Sequence, residues 1–201
     1  MRIGLFGGTF DPIHIGHLNL AKALIEKSYL DHIIFVPAAK PPHKPEKPVT
    51  VFSDRYKMVE LAIEEVNYFS ISDIEEQRLP IPSYTFDTLR KVKTLYPKDI
   101  LYLIIGEDSL LQIHTWYRGR ELIDLCEIIT YPRPNENCTL EKLESIWSKK
   151  TAERLFRTKV ELPLIDVSST QIRQGIKTEK TKINVIPEKV MKYIREHKLY
   201  L

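Results

Sequence analysis

The chain has 201 residues, 43% of them hydrophobic and 28% charged, with a formal net charge of +3, which suits one domain with a substantial core. No apolar run approaches the roughly 18 to 20 residues a membrane helix needs, and so small a positive surplus is not the footprint of a nucleic-acid binder. The opening MRIGLFGGTFDP meets Gly, Asp and Pro too early for a signal-peptide apolar region, and Cys126 and Cys138 show neither metal spacing nor a disulfide framework, so a cytoplasmic setting is expected.

In chain order, Arg2 to Phe6 reads as a strand and Gly7 to Pro12 as a loop. The helix after it carries Leu18, Ala21, Leu24 and Ile25 on one face. Asp31 to Pro37 is a second strand. Its exit, Ala38 to Thr50, holds too many prolines for regular structure. Ser53 is the expected cap of the next helix, with Val59, Ala62, Ile63 and Val66 on one face. Tyr68 to Ser72 reads as a short strand, Ser83 to Tyr96 as helix, and the apolar run Ile100 to Ile105 as a strand covered on both faces. Asp108 to Leu125 is expected to be helical, Glu127 to Tyr131 a strand, and Val160 to Ile165 a last strand. Ser169 to Gly175 reads as a short helix, and Pro187 opens a terminal one with Val190, Tyr193, Ile194 and His197 on one face. Strand and helix alternation predicts a mainly parallel α/β sheet with helices on both faces. Ligands then belong at the carboxyl ends of its strands. The chain is read as one domain over 1–201, in which the part from about 166 is a helical appendage.

The first strand runs into GGTFDPIHIGHL. Gly7 and Gly8 let backbone N–H groups approach an anion, since no Cβ intervenes. His14 and His17 share one side of the first helical turn. A helix start with two imidazoles suits a phosphate chain that gains charge in a transition state. The plainer alternative is a strand–turn–helix junction with two surface histidines. Neither G-x-x-x-x-G-K-[ST] nor G-x-G-x-x-G is present. H-E-x-x-H is absent too, and no third ligand accompanies the histidine pair, so no protein metal site is expected.

The string resembles the nucleotidyltransferase superfamily signature. HIGH also occurs in class I aminoacyl-tRNA synthetases, which need a much longer chain. Pro41-Pro42-His43-Lys44, SYTFDTL from Ser83, GEDSLLQIHTWYRGREL from Gly106 and DVSSTQIRQG from Asp166 narrow the resemblance. Together they look like the bacterial nicotinate-mononucleotide adenylyltransferases over nearly the whole chain, with a departure at Glu107, where many relatives carry a small residue. The resemblance implies a Rossmann-like fold and adenylyl transfer from ATP to nicotinate mononucleotide. It implies ATP contacts from Gly7, Gly8, Thr9, Phe10, Gly106 and the ribose-binding Asp108. The helix start at Ser169 and Thr170, with Arg173, would face the β- and γ-phosphates. His43 and Lys44 become phosphate contacts near the acceptor. The backbone N–H groups of Thr85 and Tyr117 would meet the nicotinate carboxylate, with Trp116 against the ring.

Each piece also has a plain reading. Ser168-x-x-Gln171 is a capping box, Lys44 is one of several loop lysines, Trp116-Tyr117 can be core aromatics, and Asp108 can be an ordinary residue of a helix start. His14, His17, Lys44 and Arg173 are the expected catalytic set. A phosphate monoester is already mostly ionised near neutral pH, with a second pKa of about 6, so it needs no general base. Magnesium is expected to arrive bound mainly to ATP phosphates. A homo-oligomer is compatible with this reading. The runners-up are a sister transferase acting on nicotinamide mononucleotide or phosphopantetheine, and a nucleotide-binding regulatory module without turnover.

Overall fold

The computed structural model describes residues 1–41, 49–134, 136–162, 167–178 and 185–201. Five parallel strands form one sheet in the order β3-β2-β1-β4-β5, built from Arg2–Gly8 (β1), His32–Pro37 (β2), Phe69–Ile71 (β3), Ile100–Gly106 (β4) and Glu127–Tyr131 (β5). Strand order reverses direction at β1, so the crevice at its carboxyl end is where an open α/β sheet binds ligands.

Residue alternation along the strands divides the core in two. On one face Ile3, Leu5, Ile34, Val36, Leu101, Leu103 and Ile105 pack against Thr85–Leu95 (α3), Glu107–Gln112 (α4), Gly119–Leu125 (α5), Leu140–Glu144 (α6) and Lys149–Phe156 (α7). On the other, Phe6, Ile33, Phe35, Ile104 and Ile129 pack against Ile15–Glu26 (α1), Phe52–Ile63 (α2), Ser169–Lys177 (α8) and Glu188–Glu196 (α9). Helices therefore cover both faces, as the alternation of elements predicts.

Several expectations change in detail. Gly7 and Gly8 are not loop: they end β1, paired with Val36 and Pro37, and no glycine has positive φ. Ser53 is no cap, because α2 begins one residue earlier behind Val51. The expected helix from Asp108 to Leu125 is broken into α4, a 3₁₀ turn Ile113–Thr115 and α5. A Cβ at Gly119 would lie 1.8 Å from the Ile113 carbonyl oxygen, so this glycine lets the chain fold back where a continuous helix would run on. Of the strand expected from Val160, Val160 N–H donates to the Thr130 carbonyl at 2.9 Å, beside an isolated bridge between Thr130 and Lys159; 163–166 lie outside the described residues. Cys138, set in a polar stretch of sequence, is fully buried in the core. Ile100 is 54% exposed, so β4 is covered on both faces only after its first residue.

Candidate active site

Two cavities flank the carboxyl tip of β1, and Gly7, Gly8 and Thr9 line both. The first, of about 350 Å³, is bounded by Phe10, Asp11, His14, His17, Arg133, Ser169, Thr170 and Arg173. The second, of about 360 Å³, is bounded by Glu75, Ser83, Tyr84, Thr85, Trp116 and Tyr117. Nothing lies within 4 Å of a Cβ built at Gly7. Glycine there keeps open the space that joins the cavities rather than satisfying the fold. At Gly8 a Cβ would meet the Phe10 ring at 2.9 Å, so that residue is needed for close packing.

His14 is the N-cap of α1 and His17 stands at its third position, with their rings stacked 3.7 Å apart. His14 N–H donates to His17 Nδ1 at 3.3 Å. That acceptor role assigns the proton of a neutral His17 to Nε2, leaving an N–H donor for the cleft. Phe10, edge-on at 5.1 Å, walls the ring on another side. Burial, with Arg133 adding repulsion, holds His14 down to about 4, below its ordinary 6.5. Burial also drives His17 well below its ordinary value, with His14 and Arg133 contributing. His14 Nδ1 is buried and has no hydrogen-bond partner among the described residues. Two desolvated imidazoles beside Arg133 suit an anion, whose negative charge would offset both the desolvation and the repulsion from the guanidinium.

Across the cleft Ser168 caps α8, its Oγ accepting from Gln171 N–H at 3.2 Å. The Ser168 half of the capping box is therefore realised, while Gln171 Oε1 accepts from the Ser168 hydroxyl at 3.1 Å, and Ser169, Thr170 and Arg173 of that helix start line the cleft. Ser169 Oγ donates to the Pro12 carbonyl at 3.0 Å, and Arg173 Nη1 to the Asp11 carbonyl at 2.7 Å. The signature loop and α8 are thus one unit.

Beyond Arg133 the cleft continues into a pocket lined by Asp108, Pro134, Glu136 and Gln171. Asp108 Oδ1 and Arg133 Nε stand 3.7 Å apart, both buried without a hydrogen-bond partner among the described residues. A Cβ on Gly106 would fall 2.4 Å from Asp108 Oδ1 and 2.9 Å from Arg133 Nε. Gly106 therefore shapes the space under these two groups without lining it. Glu107 turns away from this pocket and pairs with Lys159 at 2.7 Å.

In the second cavity Thr85 opens α3 behind Tyr84, which gives no side-chain cap. The first N–H groups of a helix have no partner within it. Trp116 lines the wall and Tyr117, 48% exposed, stacks on Tyr84 at 4.5 Å. Trp116 also packs on the core of that face, as the core-aromatic reading expects, while it borders the cavity. His43 and Lys44 lie outside the described residues.

Sequence reasoning passed over three supporting groups. Arg133 borders both the cleft and the pocket beyond it. The buried Arg55 donates through Nη1 to the Thr9 carbonyl and through Nε to the Thr50 carbonyl, each at 2.7 Å. The buried Glu75 accepts from Thr88 Oγ1 at 2.8 Å on the wall of the second cavity. Only Arg133, in the YPRP run after β5, sat at a strand end where the fold would look for it. Among the described residues no three His, Cys, Asp or Glu side chains form a cation site, and no helix is long and apolar enough to cross a membrane.

The cytidylyltransferase-like family model matches residues 5–175. A probable nicotinate-nucleotide adenylyltransferase of Caldicellulosiruptor bescii is 40% identical over 200 residues, covering 100% of this chain and 99% of the relative. One of Thermus thermophilus is also 40% identical, with 100% of both chains covered. The solved Plasmodium falciparum nicotinic acid mononucleotide adenylyltransferase complexed with NaAD superimposes with a TM-score of 0.75 at 22% identity, covering 99% of this chain and 97% of that one. At that identity the likeness is one of fold. The chain belongs to the cytidylyltransferase-like family and, within it, to the nicotinate-nucleotide adenylyltransferases.

Proposed function

We propose that this chain transfers the adenylyl group of ATP to nicotinate mononucleotide, giving nicotinate adenine dinucleotide and pyrophosphate, in NAD biosynthesis. The carrying observation is the pair of cavities that meet at Gly7, Gly8 and Thr9, one cationic and one aromatic. A phosphate oxygen of the acceptor attacks the α-phosphorus in line. The bond from that phosphorus to the β-bridging oxygen breaks, and pyrophosphate leaves with the electron pair. The nucleophile is already an anion, so the work left to the protein is positioning and charge stabilisation.

In this reading His14 and His17 hold the α- and β-phosphate oxygens. Arg173 and the α8 start, with Lys44, balance the departing pyrophosphate. Arg133 and Asp108 border the nucleoside. Trp116 stacks on the pyridine, and the N–H groups of Thr85 and Tyr117 meet its carboxylate. His43 is assigned to the acceptor phosphate. Magnesium comes with the triphosphate as part of the substrate, and the enzyme works in the cytoplasm, without nucleic acid.

Pyrophosphate release from ATP, followed with a panel of phosphorylated acceptors, tests this. Nicotinate mononucleotide should be turned over fastest. A preference for nicotinamide mononucleotide or phosphopantetheine would reassign the acceptor, and ATP binding without release would make the chain a regulatory module.

A further inference from the structure

Asp11, in the middle of the signature loop, is a buried carboxylate with 5% exposure. Its backbone carbonyl accepts from Arg173 Nη1 at 2.7 Å, while its Oδ2 stays 3.9 Å from the same guanidinium nitrogen. Oδ1 accepts from the Tyr200 hydroxyl at 2.7 Å, a contact that spans 189 positions of sequence. The second charged group facing this carboxylate, after Arg173, is the buried Arg55, which holds the Thr9 carbonyl. The backbone carrying Tyr200 is strained: Lys198 and Tyr200 have φ of +51° and +68°, the left-handed region that side-chain-bearing residues disfavour. Such conformations persist where surrounding contacts over-determine them. Those contacts include α9, whose Val190, Met191 and Ile194 are buried and whose Lys189 pairs with Glu64 and Glu65 after α2. Phe10, just before Asp11, is also left-handed at +48°. Two strained segments from opposite parts of the chain meet at one hydrogen bond.

An unrestrained Asp11 carboxylate would close on Arg173, its nearest cation, and compete with a triphosphate for the guanidinium. We propose that Tyr200 is a positioning residue for ATP: by holding Asp11 Oδ1 it keeps the carboxylate from closing beyond its 3.9 Å approach to Arg173, so that the guanidinium N–H groups not already given to the Asp11 carbonyl and Thr170 stay available to the triphosphate. This rests on the adenylyl-transfer reading above. It adds a role for the segment after α9, which touches no part of the acceptor cavity.

The test is Tyr200→Phe, which removes one oxygen and keeps the ring. The KM for ATP should rise about tenfold, in line with one lost hydrogen bond to a charged group, while the KM for nicotinate mononucleotide stays within about twofold. An unchanged ATP KM, or equal rises in both, overturns the proposal, because a merely structural loss would not choose between substrates. In an Asp11→Asn background the Tyr200→Phe change should no longer affect the ATP KM, since a neutral amide does not compete for Arg173. A further rise there would also overturn it. Should Tyr200→Phe not fold, hydrogen exchange on the unaltered protein decides. Coupling is reciprocal, so ATP should slow exchange of the amides around Leu199 and the acceptor alone should not; equal protection by both, or by neither, counts against it. An unaltered enzyme that released no pyrophosphate would instead defeat the adenylyl-transfer reading, and this inference with it.

Discussion

The cleft beside His14 and the cavity beside Trp116 share Gly7, Gly8 and Thr9, yet they rest on different physics. The cleft is built of mutually stacked imidazoles, that of His14 buried and that of His17 half-buried, with two arginines and a capped helix start. Its imidazoles are desolvated before any ligand arrives, and its helix start is tied to the signature loop through the main-chain carbonyls of Asp11 and Pro12. The second cavity is built of half-exposed aromatic faces and a helix start with no side-chain cap. On the proposed reaction, the difference follows what each half must do. Where charge develops during reaction, stabilisation needs fixed dipoles in a dry site. Where a flat ring only has to be recognised, stacking and a few donors suffice.

The comparison breaks first at His17. His17→Ala should lower kcat about a hundredfold or more with little change in the ATP KM, the cost of losing a donor that acts mainly in the transition state. Steady-state kinetics on the folded variant checks this, and a near-normal kcat would make the histidine pair structural. The acceptor side should sense the carboxylate next. An amide facing the donors of Thr85 and Tyr117 leaves its N–H₂ unpaired, at about 1–3 kcal/mol. Nicotinate mononucleotide should therefore be preferred over the amide on the order of ten to a few hundredfold in kcat/KM; equal values would leave only stacking there. Trp116→Ala should weaken both acceptors alike, because the ring face does not sense the substituent.

Gly7→Ala probes the shared tip. The added methyl meets no protein atom within 4 Å, so the melting temperature should hold while kcat/KM falls about tenfold, one factor of ten being ~1.4 kcal/mol. A loss confined to one substrate would show that the cavities are separate. The smallest effect concerns stability. Burial lowers the His14 pKa from 6.5 to about 4, so between those values the unfolded chain binds more protons than the folded one. Stability should rise with pH through that window, be fully present above 6.5, and be lost as pH falls toward 4. Chemical denaturation of the unliganded protein at several pH values should show this slope, and His14→Asn should reduce it, the remainder coming from His17, whose pKa burial also lowers.

Local pattern determined a good deal of this protein. The parallel α/β architecture followed from alternation of apolar runs with helical periodicity. Glu127–Tyr131 has the same bounds in sequence and structure, because a run of β-rich residues between polar breaks leaves little choice. The helix starts at His14 and Ser168 were legible, since capping chemistry is local. What periodicity could not show is the break after α4, where Gly119 approaches the Ile113 carbonyl, or the short helices α6 and α7, whose buried residues Leu143, Ala152 and Leu155 are too sparse to stand out. Nor could it show that Arg55 holds Thr9 from 46 positions away, or that Tyr200 reaches Asp11 across 189. Motifs mark residues that must meet a ligand, and those are contiguous in the chain because one loop or helix start presents them. The groups that hold such a loop from behind come from whichever elements the packing of the two sheet faces brings there, and only the tertiary structure decides which they are.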